Sequence, residues 1–219
     1  MRVGNIDRNF ALREMTMQII LARYGNGLLE RQEIMAMYRL RHDIFHDRLG
    51  WEVTVDNGME RDEFDHADPV YMLAKDAEDG VMGCWRLLPT TGPNMLRDVF
   101  PQLLHGQPAP SRADVWELSR FAVLLPRHES AGFGFSAIPV EMMRILFFFA
   151  RDYGIKRYVT VATVAVERLI RKLGVNVSRL GAPIRIGRVM TVACYIEIDA
   201  VTELALFGGR AGRPQRKAA

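Results

Sequence analysis

Apolar positions fall in blocks whose period changes along the chain. Residues 18–24 are mostly apolar and are closed by Gly25, Asn26 and Gly27, which predicts a strand and its turn. Over 29–45 the apolar residues recur every three or four positions, which predicts a helix. Residues 50–69 keep no period and predict a long ordered loop. Two apolar runs, 70–75 and 81–88, flank Ala77-Glu78-Asp79-Gly80 and predict a hairpin. A short helix over 95–104 and a strand over 115–124 follow. The remaining pattern predicts a helix at 136–153, a strand at 157–163, a helix at 164–173, a strand at 188–198 and a short helix at 201–207. Strands and helices mixed in this order predict one α/β sandwich around a mixed sheet, with no repeat and no internal linker.

Several charges interrupt these apolar runs. On the first helix Ile34, Met37, Tyr38, Arg41 and Phe45 share one face. A guanidinium on that stripe must find an anion or escape to water along its own stem. The loop that follows gathers Glu60, Asp62, Glu63 and Asp65, either as a solvated acidic turn or as carboxylates that receive Arg41 or a cationic substrate. Arg86 stands in Gly-Cys-Trp-Arg-Leu-Leu, and Glu117 and Arg120 stand in Val-Trp-Glu-Leu-Ser-Arg-Phe-Ala-Val. Alternation sends residues three apart to opposite faces, so only a bulge or a strong twist brings Glu117 and Arg120 into one site. Each charge alone is ordinarily a structural ion pair. Three arginines and three or more carboxylates among large apolar residues predict a buried polar network, an arrangement that marks functional sites.

The 219 residues, 49% hydrophobic and 25% charged, suffice for one substantial core and one domain. The formal net charge is +3, but Arg210, Arg213, Arg216 and Lys217 crowd the C-terminal end without an acid, so the rest of the chain is slightly negative. That distribution makes 210–219 a flexible basic tail and argues against a nucleic-acid partner. Residues 1–16 are charged and lack an apolar signal core, and are expected to be a flexible leader before a domain of residues 17–209. No run approaches the ~20 uncharged apolar residues of a membrane span. Cys84 and Cys194 sit in apolar strand-like segments, as free thiols of a reducing, cytoplasmic protein do. No Cys/His cluster has metal-ligand spacing, so no metal is expected.

Taken in order, Arg41-x3-Phe45-x5-Trp51, Asp62-x2-Asp65, Arg86 and Glu117-x2-Arg120 resemble the signature of the LuxI-type acyl-homoserine-lactone synthases. The wording around them matches as well: Tyr-Arg-Leu-Arg-His-Asp-Ile-Phe, Gly-Cys-Trp-Arg-Leu-Leu-Pro-Thr-Thr-Gly-Pro and Trp-Glu-Leu-Ser-Arg-Phe-Ala. The resemblance covers about residues 17–209. It implies a fold like that of the GCN5-related acetyltransferases, a mixed twisted sheet flanked by helices and splayed to admit a pantetheine arm. It also implies a quorum-sensing enzyme that takes a fatty acyl chain from acyl carrier protein and acylates the amine of S-adenosylmethionine. The methionine carboxylate then closes the lactone and expels methylthioadenosine, with no cofactor, since S-adenosylmethionine is a substrate. On that basis Glu117 would be the general base through a water, or an electrostatic partner only. Backbone amides near Phe121 would stabilise the oxyanion. Arg41, Asp62, Asp65, Arg86 and Arg120 would form the network that orients the N-terminal segment and the amino-acid end of the substrate. Phe45 and Trp51 would cover the sulfonium and adenosine, with Thr160 and Thr163 nearby.

By family position the acyl pocket would be lined by Leu118, Phe121, Val123, Val140, Met143, Ala162 and Ile170. Ala162 stands where some members favouring 3-oxo chains carry threonine, so an unsubstituted chain is expected unless Thr160 or Thr163 supplies the hydroxyl. Arg168, Arg171 and Lys172 share one edge of their helix, either as a solvated face or, by family position, as a dock for the acidic carrier protein. One alternative is an acetyltransferase using acetyl-CoA. The phosphate loop that chemistry needs is poorly matched by Arg127-His128-Glu129-Ser130-Ala131-Gly132-Phe133-Gly134, where the arginine lies too far upstream and Glu129 intrudes. A non-catalytic reader of the lactone is the other alternative, disfavoured because the chain carries no basic recognition helix.

Overall fold

The computed structural model describes residues 8–11, 17–76, 78, 80–124 and 137–208. Strands β1 (Arg8–Ala11) and β2 (Gln18–Arg23) lead into α1 (Arg31–Arg41), which continues as a π-helical stretch, His42–Arg48. A small hairpin of β3 (Val55–Asp56) and β4 (Met59–Glu60) and a 3-10 turn, Glu63–His66, precede β5 (Val70–Lys75) and β6 (Val81–Pro89). Next come α2 (Met95–Asp98), a 3-10 turn at Pro101–Leu104, β7 (Val115–Val123), α3 (Ala137–Tyr153), β8 (Arg157–Thr163) and α4 (Val164–Lys172). β9 (Val177–Arg179), β10 (Ile184–Ile186), β11 (Val189–Glu197) and α5 (Ala200–Phe207) complete the described chain.

The main sheet runs β1-β2-β5-β6-β7-β8-β11-β10, with β9 also pairing β11. Its strands pair antiparallel except β7 with β8. Helices cover both faces, which is why these strands read as nearly continuous apolar runs. Ile19, Leu21, Met72, Trp85, Leu87, Trp116 and Leu118 pack with Met142, Ile145, Leu146 and Phe149 of α3. The alternate positions Ile20, Ala22, Tyr71, Leu73, Cys84 and Ala122 pack with Ile34, Met37 and Tyr38 of α1. The expected α/β sandwich with a mixed sheet is therefore what the chain forms. No helix of the described residues is long and apolar enough to cross a membrane.

The differences from the sequence pattern are local and have physical causes. Arg8–Ala11 falls in the stretch expected to be a leader, yet it pairs with β2, because an edge strand needs only backbone groups to form its ladder. The 50–69 loop contains the β3–β4 hairpin, turned by Asn57 and Gly58 at φ 51° and 70°. Asn-Gly is the strongest short hairpin signal, but two-residue strands are too short to show alternation. The 95–104 helix is two pieces, because Pro101 lacks the N–H that a continuous helix requires. β9 and β10, three residues each, were not expected at all.

Candidate active site

The site begins with an irregularity in the central strands. Along β6, Cys84 and Arg86 are two residues apart, yet their partners on β7, Ala122 and Ser119, are three apart. The extra residue on β7 is a bulge, and Arg120 within it has φ 58°, a left-handed value unusual for a side-chain-bearing residue. Past the bulge, Phe121 packs in the α3-side core and Ala122 in the α1-side core. Glu117 and Arg120 thus reach the same side of the sheet, which a flat strand forbids.

On that side lies the network the sequence predicts. Arg41 grips Asp65 with two bonds, Nη1 to Oδ1 at 2.8 Å and Nη2 to Oδ2 at 3.0 Å, and its Nε donates to Glu60 Oε2. Arg86 holds Asp62 with both terminal nitrogens, the Nη2 bond to Oδ2 being 2.9 Å, and donates from Nη1 to Asp65 Oδ1 at 2.9 Å. Its Nε donates to Ser119 Oγ at 3.0 Å. Arg120 Nη2 donates to Glu60 Oε1 at 2.8 Å and lies 2.8 Å from Asp62 Oδ2. Tyr71 Oη donates to Asp65 Oδ1 at 2.7 Å. Three guanidiniums meet three carboxylates, so the network balances its own charge. Burial opposes the charge on Arg41, but Asp65 and Glu60 outweigh it and hold the guanidinium well above its ordinary pKa. Burial likewise raises the Asp65 carboxyl, yet Arg41 and then Arg86 pull it well below the usual carboxylate range.

Glu117 stands outside this balance. It is buried, and its two oxygens accept from the backbone N–H groups of Met95 and Leu96 at 2.9 and 2.7 Å. Burial raises its carboxyl above the ordinary value, and the amides of Leu96 and Met95 with the charges of Arg86 and Arg120 offset this only in part. Pairing between β7 and β8 ends at Leu118 and Thr160, although both strands continue. A cleft opens there, partly open to solvent and lined by Glu117, Arg120, Phe45, Trp51, Trp85 and Ala162 among others.

The other expected site residues divide. Phe45 stacks on Trp51 at 5.3 Å between centroids and lies under the Arg120 guanidinium, also at 5.3 Å. Thr160 and Thr163 line the cleft, but the Thr160 hydroxyl donates to Leu118 O at 2.8 Å and Thr163 Oγ1 caps α4. Of the seven acyl-pocket positions, Phe121, Ala162 and Ile170 line the cleft. Leu118, Val123 and Met143 lie in the core with α3, and Val140 is half-buried on α3; none of these four borders the open space. Arg168, Arg171 and Lys172 are all exposed, but Arg171 also pairs at 2.6 Å with the buried Glu167, which Arg179 holds at 2.7 Å. Arg127 to Gly134 and the 210–219 tail lie outside the described residues. His42, His46 and Asp47 place ligand atoms within 4.8 Å of one another, a grouping of two histidines four residues apart with a carboxylate that the Cys/His spacing did not single out. They are hydrogen-bonded and stacked among themselves at the surface.

Of the acidic loop, Glu60, Asp62 and Asp65 enter the network and Glu63 stays exposed. Ser119 and Tyr71 of the network, and Met95 and Phe100 of the cleft wall, were not foreseen, because neutral residues in apolar runs carry no signal of their own. The indole N–H groups of Trp51 and Trp85, both on the cleft wall, have no partner among the described residues.

Comparison with known proteins agrees with this geometry. The autoinducer synthase family profile matches residues 25–206. The chain is 44% identical over 175 residues to an acyl-homoserine-lactone synthase of Pseudomonas aeruginosa, covering 79% of this chain and 86% of that one. The crystal structure of the AHL synthase LasI superposes with a TM-score of 0.82 at 39% identity, over 92% of this chain and 100% of that one. BjaI, a CoA-dependent acyl-homoserine lactone synthase solved with SAM and isopentyl-CoA, superposes at 0.74 and 30% identity, over 86% of each chain. An N-acetyltransferase-type structure from Lactobacillus plantarum superposes at 0.54 and 15% identity, over 84% of this chain and 99% of that one, which shows a shared fold alone. The family, the fold class and the enzymatic character expected from eight charged and aromatic positions are borne out: the chain belongs to the autoinducer synthase family, the acyl-homoserine-lactone synthases that make quorum-sensing signals.

Proposed function

We propose that this enzyme transfers a fatty acyl group from acyl carrier protein to the amine of S-adenosylmethionine and then closes the lactone with release of methylthioadenosine. The observation that carries the reading is Glu117, a buried carboxylate at the cleft that the balanced arginine network does not absorb. S-adenosylmethionine brings an ammonium and a sulfonium, and aromatic faces such as Phe45 and Trp51 attract such cations. Each Glu117 oxygen takes one backbone N–H, leaving lone pairs to accept from a water or from the ammonium itself. Through that contact the ammonium loses a proton to the carboxylate. The freed amine attacks the thioester carbonyl; the C–S bond breaks with its electron pair on the carrier's sulfur, and the amine's second proton passes to that thiolate, leaving the amide and the carrier thiol. The substrate's own carboxylate oxygen then displaces methylthioadenosine from the γ-carbon. None of these steps calls for a metal or redox group. Cys84 and Cys194 are buried free thiols, which suits a reducing compartment, and we assign the enzyme to the cytoplasm.

Support for a carrier-protein donor comes from α4. Its inner residues Val166 and Ile170 line the cleft, and its outer side exposes Arg168 and Lys172 beside it. Replacing both by glutamate is expected to raise KM for acyl carrier protein about tenfold or more, with little effect on any turnover of an acyl-CoA. The wild-type KM should also rise with salt, because exposed pairs are screened beyond ~8 Å at physiological ionic strength. The second reading is a CoA donor, which the likeness to BjaI favours. It is upheld if acyl-CoA is the better substrate and the double variant leaves KM unchanged. If removing residues after Gly209 raises the carrier-protein KM and the double variant does not, the dock is the basic tail.

An unsubstituted acyl chain is expected at Ala162. The proton of the Thr160 hydroxyl is committed to Leu118, which removes one of the two hydroxyls that could serve a 3-oxo group, while Thr163 Oγ1 accepts from Val166 N–H and keeps its proton. Ala162→Thr adds a donor worth ~0.5–1.5 kcal/mol, and kcat/KM measured with paired acyl and 3-oxoacyl carrier proteins should shift several-fold toward the 3-oxo form. A wild type that already prefers the 3-oxo chain contradicts this.

A further inference from the structure

Met95 lies where three of the site's charged side chains meet. It is buried and lines the cleft. Its Sδ accepts from Arg86 Nη2 and from Arg120 Nη1, each at 3.1 Å, and its backbone N–H donates to Glu117 Oε1 at 2.9 Å. A guanidinium carries five N–H donors and cannot shed its charge, so each donor without an acceptor costs free energy in a buried site. For Arg86, Ser119, Asp62 and Asp65 take the other donors, and the thioether receives a terminal N–H on the side of Met95. For Arg120, Glu60 and Asp62 take Nε and Nη2, and the thioether receives Nη1. A carboxylate at this place would add a fourth negative charge to a balanced network. A leucine would leave both N–H groups facing hydrocarbon. A thioether is a weak, polarizable and neutral acceptor, and meets both constraints.

We propose that Met95 is a positioning residue for the reaction: its sulfur sets Arg86 and Arg120 at the cleft while its amide holds Glu117, so that cation and carboxylate keep one fixed relation to the substrate. The role is separable from packing. Leu for Met is a volume-conserving exchange that a purely apolar position tolerates, while Gln there is the more disruptive change. An acceptor role reverses that order, because the glutamine oxygen restores what leucine removes.

Steady-state kinetics on Met95→Leu and Met95→Gln, with saturating acyl donor and varied S-adenosylmethionine, test it. Thermal unfolding of each variant is followed in parallel. Met95→Leu is expected to keep a cooperative transition and lose about tenfold in kcat/KM, with kcat itself reduced; Met95→Gln is expected to recover to within about threefold of wild type. Wild-type kinetics in Met95→Leu, or a Gln variant no better than Leu, overturns the proposal. Should Met95→Leu fail to fold, the Gln variant decides alone: near-normal kcat supports an acceptor role, and collapse of kcat in a folded Gln variant refutes it.

Discussion

Asp65→Asn is expected to destabilise the protein by about 3–5 kcal/mol, the range for removing one side of a buried ion pair. The Asp65 carboxylate accepts from both terminal nitrogens of Arg41, from Arg86, from Tyr71 and from the backbone N–H of Asp62. An amide can satisfy only the acceptors on its oxygen side, turns its NH₂ toward donors, and leaves three guanidiniums facing two carboxylates. Denaturant unfolding at neutral pH measures the loss, with the exposed Glu63→Gln as a control expected to stay within ~0.5 kcal/mol. The pH dependence carries a sign. Because the folded Asp65 carboxyl sits well below its ordinary value, its contribution is present above the ordinary carboxylate pKa and is lost as pH falls toward the folded one. The Asn variant should lack that part of the acid-side slope. A loss below about 1 kcal/mol would mean that the network contributes specificity rather than stability.

Glu117→Gln is expected to lower kcat by 10²–10⁴-fold, the usual contribution of a positioned general base, while the protein stays folded. Its carboxyl is raised by burial, so the wild-type rate should climb with pH through a range above that of an ordinary glutamate. That acid limb should vanish in the variant. The substitution also turns one of the two oxygens that bind Met95 and Leu96 into a donor, and a modest fall in stability should accompany the kinetic loss. Near-normal turnover in a folded Gln variant refutes the base assignment and leaves Glu117 an anchor for the backbone of α2.

Much of this site was legible because charge in an apolar run is costly and so informative. Arg41 on an apolar helix face and Arg86 in a buried strand each demanded an anion, and the nearby acidic loop supplied Glu60, Asp62 and Asp65. The meeting of Glu117 and Arg120 was legible only as a condition, since period-two alternation forbids it and the bulge that permits it is a single added residue with no sequence mark. Arg171 looked equivalent to Arg168 and Lys172 on a helical wheel, but it pairs with Glu167 one turn earlier, a carboxylate that Arg179 of β9 also holds. The pair with Glu167 is an i,i+4 contact within one helix, whereas the contact of Glu167 with Arg179 joins two elements that helical spacing cannot relate. The acyl pocket shows the same limit. Leu118, Val123 and Met143 were expected to line the pocket and instead lie in the core, because which apolar side chains face open space depends on where β7 and β8 cease to pair.

The most direct test of the account is a reaction of the purified chain with S-adenosylmethionine and acyl carrier protein loaded with unsubstituted fatty acyl chains, read by mass spectrometry. The account predicts N-acyl-homoserine lactone and methylthioadenosine in equal amounts, formed faster than from the matching acyl-CoA at the same concentration. Lactone formed from acyl-CoA but not from acyl carrier protein would contradict it.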